Sequence, residues 1–291
     1  MVHKIRIWGA RNISFAGRVT LINAVLITIH SYWAQIMILP KLILRKINAI
    51  CRSFLSKGSA ESNSPGYVAW DRLCKPKNEG GLGLRNTMLW NEAALGKYVW
   101  AVATKPDNLW VKWVHHVYIK SSNWWDYQTN DGSWYWRQVV KLKEKHKNLS
   151  QLQPIMIRSY SIHQVYKMLN VDQNRVSWHR EVCNRYNMPK HSFIMWLAVQ
   201  KRLQTRSRLL KFNVCQEGSC LLCDIELVTI NHLFFECYFS NRCLQEIKTW
   251  LNWQIADRPL AAMIRWTSRV KTSKFRRNVY AAVVAALTNQ I

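Results

Sequence analysis

Acidic residues are what this chain has least of: sixteen Asp and Glu stand against forty-two Lys and Arg, a formal charge of +26 over 291 residues. The first sixty residues hold nine basic residues and no acid. A charge of that size repels itself unless a polyanion is near, so RNA, DNA or an anionic membrane surface is the natural partner, and charge alone does not choose among them. No secretory signal opens the chain, so its eight cysteines fit a reducing compartment better than a disulfide scaffold. An intracellular location, nuclear or cytoplasmic, is the expectation, with the thiols free or metal-bound. Around Gly80, Gly81 and Gly83 neither G-x-G-x-x-G nor a G-K-[ST] ending occurs, which removes the dinucleotide and P-loop readings and leaves a tight turn between Trp70 and a helix from Asn86. His115 with His116, His163, His179 and His191 lack a paired nucleophile or carboxylate at recognisable spacing, so no enzyme and no small-molecule substrate is expected. A hydrophobic content of 49% excludes a wholly disordered protein, and the length suggests two domains. The oligomeric state is left open.

What is present concentrates between Asn213 and Cys243. Cys220, Cys223, His232 and Cys237 read C-x2-C-x8-H-x4-C, a Cys₃His set. Two thiolates two residues apart can reach one ion from a tight turn, and a second pair completes the tetrahedron that zinc prefers in structural sites. The competing reading is that the cysteines are small buried hydrophobes beside the apolar Leu221, Leu222, Leu233, Phe234 and Phe235. Cys215 and Cys243 flank the set and can replace a ligand. With four protein donors no position is left for water, so zinc here is expected to stabilise a fold rather than activate a nucleophile.

Helical periodicity accounts for most of the remainder. From Val19 to Pro40 there is no charge, yet Asn23, His30, Ser31 and Gln35 interrupt the window, so a buried amphipathic helix is favoured over a membrane span. Its apolar stripe is Ile22, Val25, Leu26, Ile29, Trp33 and Ile36. A second helix is expected from Pro40 through Ile43, Ile47, Ile50 and Phe54 to Gly58, then a linker over residues 59–66. Trp110 and Trp113 share helical spacing with Val114 and Val117 and are expected to pack inward, while Trp124, Trp125, Trp134 and Trp136 lie near turn signals and can form a partly exposed cluster. The lysines at 141, 143, 145 and 147 are expected to be solvated, with a nucleic-acid contact as the alternative. After Pro154, a helix with an N-terminal serine cap is expected over 159–169, and another from Pro189 carrying Phe193, Trp196 and Leu197. Seven basic residues and no acid lie between Val182 and Gln216. Arg202, Arg206, Arg208 and Lys211 are the candidate phosphate contacts. Arg202 and Arg206 share one side of a continuous helix, unless Thr205 caps a new one and splays them. Beyond the metal set, Leu244, Ile247, Trp250, Leu251 and Ile255 form a further stripe.

Several segments in fixed order carry a resemblance: SFAGR at 14–18, LINAVL at 21–26, YW at 32–33, LP at 39–40, AWDRLCKPKNEGGLGLR at 69–85, NEAALGKYVW at 91–100 and PKHSFIMWLAVQKRLQTRSRLLKF at 189–212, followed by the Cys/His set. Together they resemble the region after the polymerase palm, with its zinc-binding domain, in plant non-LTR (LINE-type) retrotransposon reverse transcriptases. The resemblance implies a mainly α fold: a helical, thumb-like post-palm segment over 1–58, a Trp-rich connection over 59–153, a small helical zinc-binding domain over 154–257 and a basic, truncated tail over 258–291 whose last helix packs poorly. It implies RNA or single-stranded DNA as partner. Polymerases of that family hold two metal ions with carboxylates that include an adjacent Asp pair, and this chain's seven aspartates (Asp71, Asp107, Asp126, Asp131, Asp172, Asp224 and Asp257) contain no such pair. Nucleic-acid binding without polymerisation is therefore expected. The alternative is a zinc-stabilised scaffold for protein contacts.

Overall fold

A computed structural model describes residues 1–7, 13–60, 68–129, 131–147, 159–170, 174–256 and 258–291. It is 65% helical, with no strand among the described residues and one isolated antiparallel bridge, Ser219 to Leu227, so the mainly α expectation holds. Most of the expected linker, residues 61–66, and the boundaries at 153/154 and Asp257 lie outside the described residues.

Helix α1 (Val2–Ile7) leads to a 22-residue helix α2 (Phe15–Ile36), whose Ser14 cap accepts from the N–H of Gly17. By length and composition α2 is the one described helix apolar enough to cross a membrane, a test that core helices of soluble proteins also pass. A π turn at Ile22–Leu26 interrupts it. The extra residue of a π turn rotates everything downstream by about 100° around the axis. Ile22 and Leu26 are buried as expected, but beyond the turn the inner face is Ile27, His30, Ser31 and Ala34. The expected Ile29, Trp33 and Ile36 instead face outward, Trp33 being 52% exposed. Asn91 closes the end of α2, its Nδ2 donating to the carbonyls of Ala34 and Met37 and its Oδ1 accepting from the N–H of Leu39. Pro40 then starts α3 (Lys41–Lys57), which stops at Gly58 in the left-handed conformation, φ 75°.

The glycine segment is a tight turn between α4 (Trp70–Cys74) and α5 (Thr87–Thr104), whose Asn86 cap accepts from the N–H groups of Met88 and Leu89. A Cβ at Gly81 would collide with the carbonyl oxygen of Lys75, and Gly80 takes φ 86°. The carbonyl of Gly80 accepts from Trp196 Nε1 and Gln200 Nε2, each at 2.9 Å, so this turn docks the second half of the chain.

A separate cluster forms where α5 packs on α6 (Leu109–Val114) and α7 (Trp134–Lys147). Of the four tryptophans expected to form a partly exposed cluster, Trp124 and Trp136 are buried, with Tyr118 stacked on Trp136 at 5.0 Å, while Trp125 is half-buried and Trp134 is 51% exposed. Trp113 does not pack inward: Val111 and Val114 take the inner face of α6, a π turn (His115–Ile119) follows, and Trp113 is 50% exposed. Lys143 breaks the expectation of a solvated lysine run. Its side chain is fully buried, with Nζ donating to the carbonyls of Trp124, Trp125 and Tyr127 and paired at 2.9 Å with Glu144.

Helix α8 (Ile162–Leu169) begins later than the expected 159, capped by Ser161 rather than Ser159, and packs on α5. The short α9 (His179–Val182) precedes α10 (Pro189–Val199), which packs against α2 and α14 (Lys274–Gln290). Far from packing poorly, α14 places Tyr280, Val284, Ala285 and Leu287 in the largest apolar cluster, the buried Ala281 and Ala285 allowing close approach. That cluster also takes Ile22 and Phe54, Trp70 and Leu84, Trp196 and Phe234, and Leu260 and Met263 of α13 (Leu260–Arg269), so residues from all four expected segments share it.

Lys143→Met keeps the bulk and removes the donor from three carbonyls. It is expected to lower the free energy of unfolding by about 3 kcal/mol in urea denaturation followed by tryptophan fluorescence, because unpaired buried acceptors cost about 1–3 kcal/mol each. A change below about 0.5 kcal/mol, the range of ordinary surface substitutions, would show that the carbonyls need no cation.

Candidate metal centre

Residues 218–228 fold back on themselves: the N–H of Cys220 bonds to the Glu226 carbonyl at 2.8 Å and the N–H of Val228 to the Gly218 carbonyl at 3.0 Å. Between them the chain turns through Asp224 at φ 54°, its N–H returning to the Cys220 carbonyl at 2.7 Å. This turn sets Cys220 and Cys223 side by side. The second pair comes from a π turn, His232–Glu236, opened by Thr229 Oγ1 accepting from the His232 N–H. The π turn closes with the N–H of Cys237 on the His232 carbonyl at 2.8 Å, an i→i+5 bond matching the four-residue gap between these side chains. Ser240 and Asn241 of α12 (Tyr238–Trp250) donate to the Leu233 and Phe235 carbonyls, holding the turn against the following helix. In α12 Leu244 is buried, but Trp250, expected in the inner stripe, is 80% exposed.

The donor atoms of Cys220, Cys223, His232 and Cys237 all lie within 4.8 Å of one another, a group that can hold a metal ion. The Sγ atoms of Cys220 and Cys237 are 3.9 Å apart, and Cys223 Sγ is 3.4 Å from His232 Nε2. Metal–sulfur bonds of about 2.3 Å and metal–nitrogen bonds of about 2.0 Å in a tetrahedron give edges of about 3.8 and 3.5 Å, so the residues fit an ion of that size. Cys220, His232 and Cys237 are buried and Cys223 is half-buried. Main-chain N–H groups, that of Ile225 foremost and then that of Glu226, draw the Cys223 thiol down to about 7, while burial raises that of Cys220. Cys215 and Cys243 stand outside the group, Cys215 Sγ reaching the Arg206 carbonyl at 3.6 Å.

Glu226 escaped the reading of the sequence. Its Oε2 lies 2.9 Å from His232 Nδ1, off the line a hydrogen bond requires but close enough for a small ring rotation to make one. Its N–H faces the Cys223 sulfur and its carbonyl accepts from Cys220. One residue thus touches three of the four candidate ligands. The sequence carried only a weak signal, since Glu226 is one of two acids, with Asp224, between the two ligand pairs.

The four candidate phosphate contacts do not share one helix face. Lys201 turns the chain at φ 55° after α10, and a new helix, α11 (Arg206–Lys211), starts at Thr205, so the splayed arrangement is the one observed. Arg206 points toward the metal loop, its Nη1 donating to the Ser219 carbonyl at 3.1 Å, and the adjacent Ser207 donates to the Val228 carbonyl at 2.6 Å. Arg208 donates to the Lys201 carbonyl and lies over the Phe212 ring. Arg208 and Lys211 meet at a hollow of about 270 Å³ that Lys201 and Phe212 also line, and Arg202 is not part of its lining.

Comparison with known proteins bears on this region directly. Residues 160–243 match the family described as zinc-binding in reverse transcriptase, which bears out the resemblance read from the sequence. A putative ribonuclease H protein of Arabidopsis thaliana is 34% identical over 139 residues, 46% of this chain and 22% of that protein. An uncharacterized mitochondrial protein of the same plant is 27% identical over 108 residues, 36% of this chain and 70% of that protein. The chain therefore spans about a fifth of the first relative's length. No solved structure matches.

Metal analysis of the purified chain is expected to give one equivalent per chain, lost in Cys220→Ser. Glu226→Gln is expected to keep that equivalent but bind Co²⁺, read by its absorption spectrum in competition with a chelator, about tenfold more weakly, as loss of an outer partner of a ligating histidine does. Equal affinity would leave Glu226 no part in orienting His232.

Proposed function

We propose that this chain is the nucleic-acid-binding C-terminal region of a LINE-type reverse-transcriptase protein, in which zinc bound by Cys220, Cys223, His232 and Cys237 is structural and no polymerase site is present. Zinc is the ion favoured by three thiolates and an imidazole at tetrahedral spacing. A closed set of four protein donors leaves no open position for a reacting water, so the metal shapes a surface rather than performing a reaction. Free thiols at all eight cysteines fit a reducing, intracellular setting.

The observation that carries the nucleic-acid reading is the coupling of the metal loop to α11. Arg206 and Ser207 bond to carbonyls on both arms of the loop, and the same short helix presents Arg208 and Lys211 at one hollow. In a chain with a formal charge of +26, a cationic helix fixed in this way suits phosphate. RNA or single-stranded DNA is the partner, and no role is assigned to a membrane or a small-molecule substrate. A second reading, a zinc-held module for protein contacts, draws on the metal loop's own surface, where Leu221 is 70% and Ile225 84% exposed.

Fluorescence anisotropy with labelled RNA and single-stranded DNA separates the two. The logarithm of the binding constant is expected to fall linearly with the logarithm of salt concentration, and Lys211→Gln to flatten that slope by about one unit. Binding that ignores salt, or none at all, would favour the protein-contact reading.

A further inference from the structure

Phe212 is presented in a way that core packing does not explain. It is 67% exposed, yet its position is fixed by a closed helix end: the N–H of Asn213 returns to the Leu210 carbonyl, that of Val214 to the Leu209 carbonyl, and Asn213 takes φ 54°. These two bonds make a Schellman cap, with asparagine in the left-handed position that glycine more often fills. The ring therefore stands at the end of α11 on a rigid backbone rather than on a loose loop.

Its surroundings are cationic. The Arg208 guanidinium lies 5.7 Å from the ring centroid, and Lys201, Arg208 and Lys211 line the same hollow, with Leu203 and Ile230 completing an apolar floor. At about 270 Å³ the hollow is smaller than the roughly 300–1,000 Å³ of drug-sized ligand sites, which suits one planar ring better than a whole small molecule. An apolar protein surface seated on Phe212 would have to strip water from three cations without pairing them, at high cost. A nucleotide supplies both halves of the match, a flat π face for Phe212 and a phosphate for the cations.

We propose that Phe212, flanked by Lys201, Arg208 and Lys211, is a stacking platform for one unpaired base of a single-stranded nucleic acid. The proposal rests on the nucleic-acid reading above and adds a preference for single strands, because the bases inside a duplex already stack on each other and offer no free face. Phe212 contributes the stacking contact and the three cations hold the phosphates on either side of the stacked base.

The test uses the intact chain and anisotropy with labelled oligo-uridine, oligo-deoxythymidine and a blunt DNA duplex. Phe212→Ala is expected to weaken binding of both single strands about tenfold, with the salt slope and the duplex affinity unchanged, since the substitution removes stacking and no phosphate contact. Phe212→Leu keeps apolar bulk and is expected to be as weak as Phe212→Ala, while Phe212→Trp retains wild-type binding. Single-strand affinity unchanged in Phe212→Ala, or wild-type affinity in Phe212→Leu, overturns the platform and leaves the nucleic-acid reading standing. An equal loss for duplex and single strands overturns it too. Absence of binding by the wild-type chain removes the underlying reading, and the platform with it.

Discussion

The convergence of four soft donors on one point is the constraint on which the C-terminal half depends. Cys220 and Cys223 come from a fold-back turn, His232 and Cys237 from a π turn, and their donor atoms lie within 4.8 Å of each other. Three of the four residues are buried, and neither turn contains a regular helix or strand that would hold it alone. A bound ion would supply that stability, as it does in small metal domains whose folding free energy is largely binding free energy. The loop in turn reaches outward in two directions. Ser219 and Val228 accept from α11, and Phe234 and Phe235 enter the largest apolar cluster, so α11 is connected through the metal loop to the core of the molecule.

The basic residues divide into those that build the structure and those that remain for a partner. Lys143 is consumed by three carbonyls, Arg18 donates to the Leu55 carbonyl from a buried position, and Arg206 is turned toward Ser219. Each satisfies main-chain acceptors at a helix end or turn, where a long cationic side chain reaches what the backbone cannot. Net charge therefore overstates the phosphate-binding surface, and position decides which cations count. Lys201, Arg208 and Lys211 are distinguished by sharing one hollow with an exposed aromatic ring, not by being numerous, and Arg208 serves both roles, one of its nitrogens donating to the Lys201 carbonyl.

What the sequence made legible was local. Gly58 as a helix stop and Asn86 and Pro189 as helix starts depend on a few neighbouring residues and are found where expected, while the serine cap falls at Ser161, two residues inside the expected start. The metal set was legible because thiolate and imidazole spacing is itself the chemistry. Two of the departures from a regular helical period fall at π turns. The turn at Ile22–Leu26 rotates the residues after it, so the face assigned to Trp33 on a regular period was wrong, and that at His115–Ile119 takes Val117 off the regular period. Trp113, before that turn, faces outward because Val111 and Val114 take the inner face. The break after Lys201 is one of two geometries that the sequence allows, since leucines at 203, 209 and 210 suit either. Glu226 was missed because its role depends on a chain reversal, which places its carboxylate beside a histidine six residues further on.

The central claim is that metal at the Cys₃His set fixes α11, and amide hydrogen exchange on the zinc-loaded and chelator-stripped chain tests it most directly. Removal of zinc is expected to strip protection from residues 218–237 and, through the lost contacts at Ser219 and Val228, from residues 206–214, while the amides of α5 and α7 exchange as before. Equal protection of residues 206–214 with and without zinc would contradict the account, because the basic helix would then owe its position to something other than the metal loop.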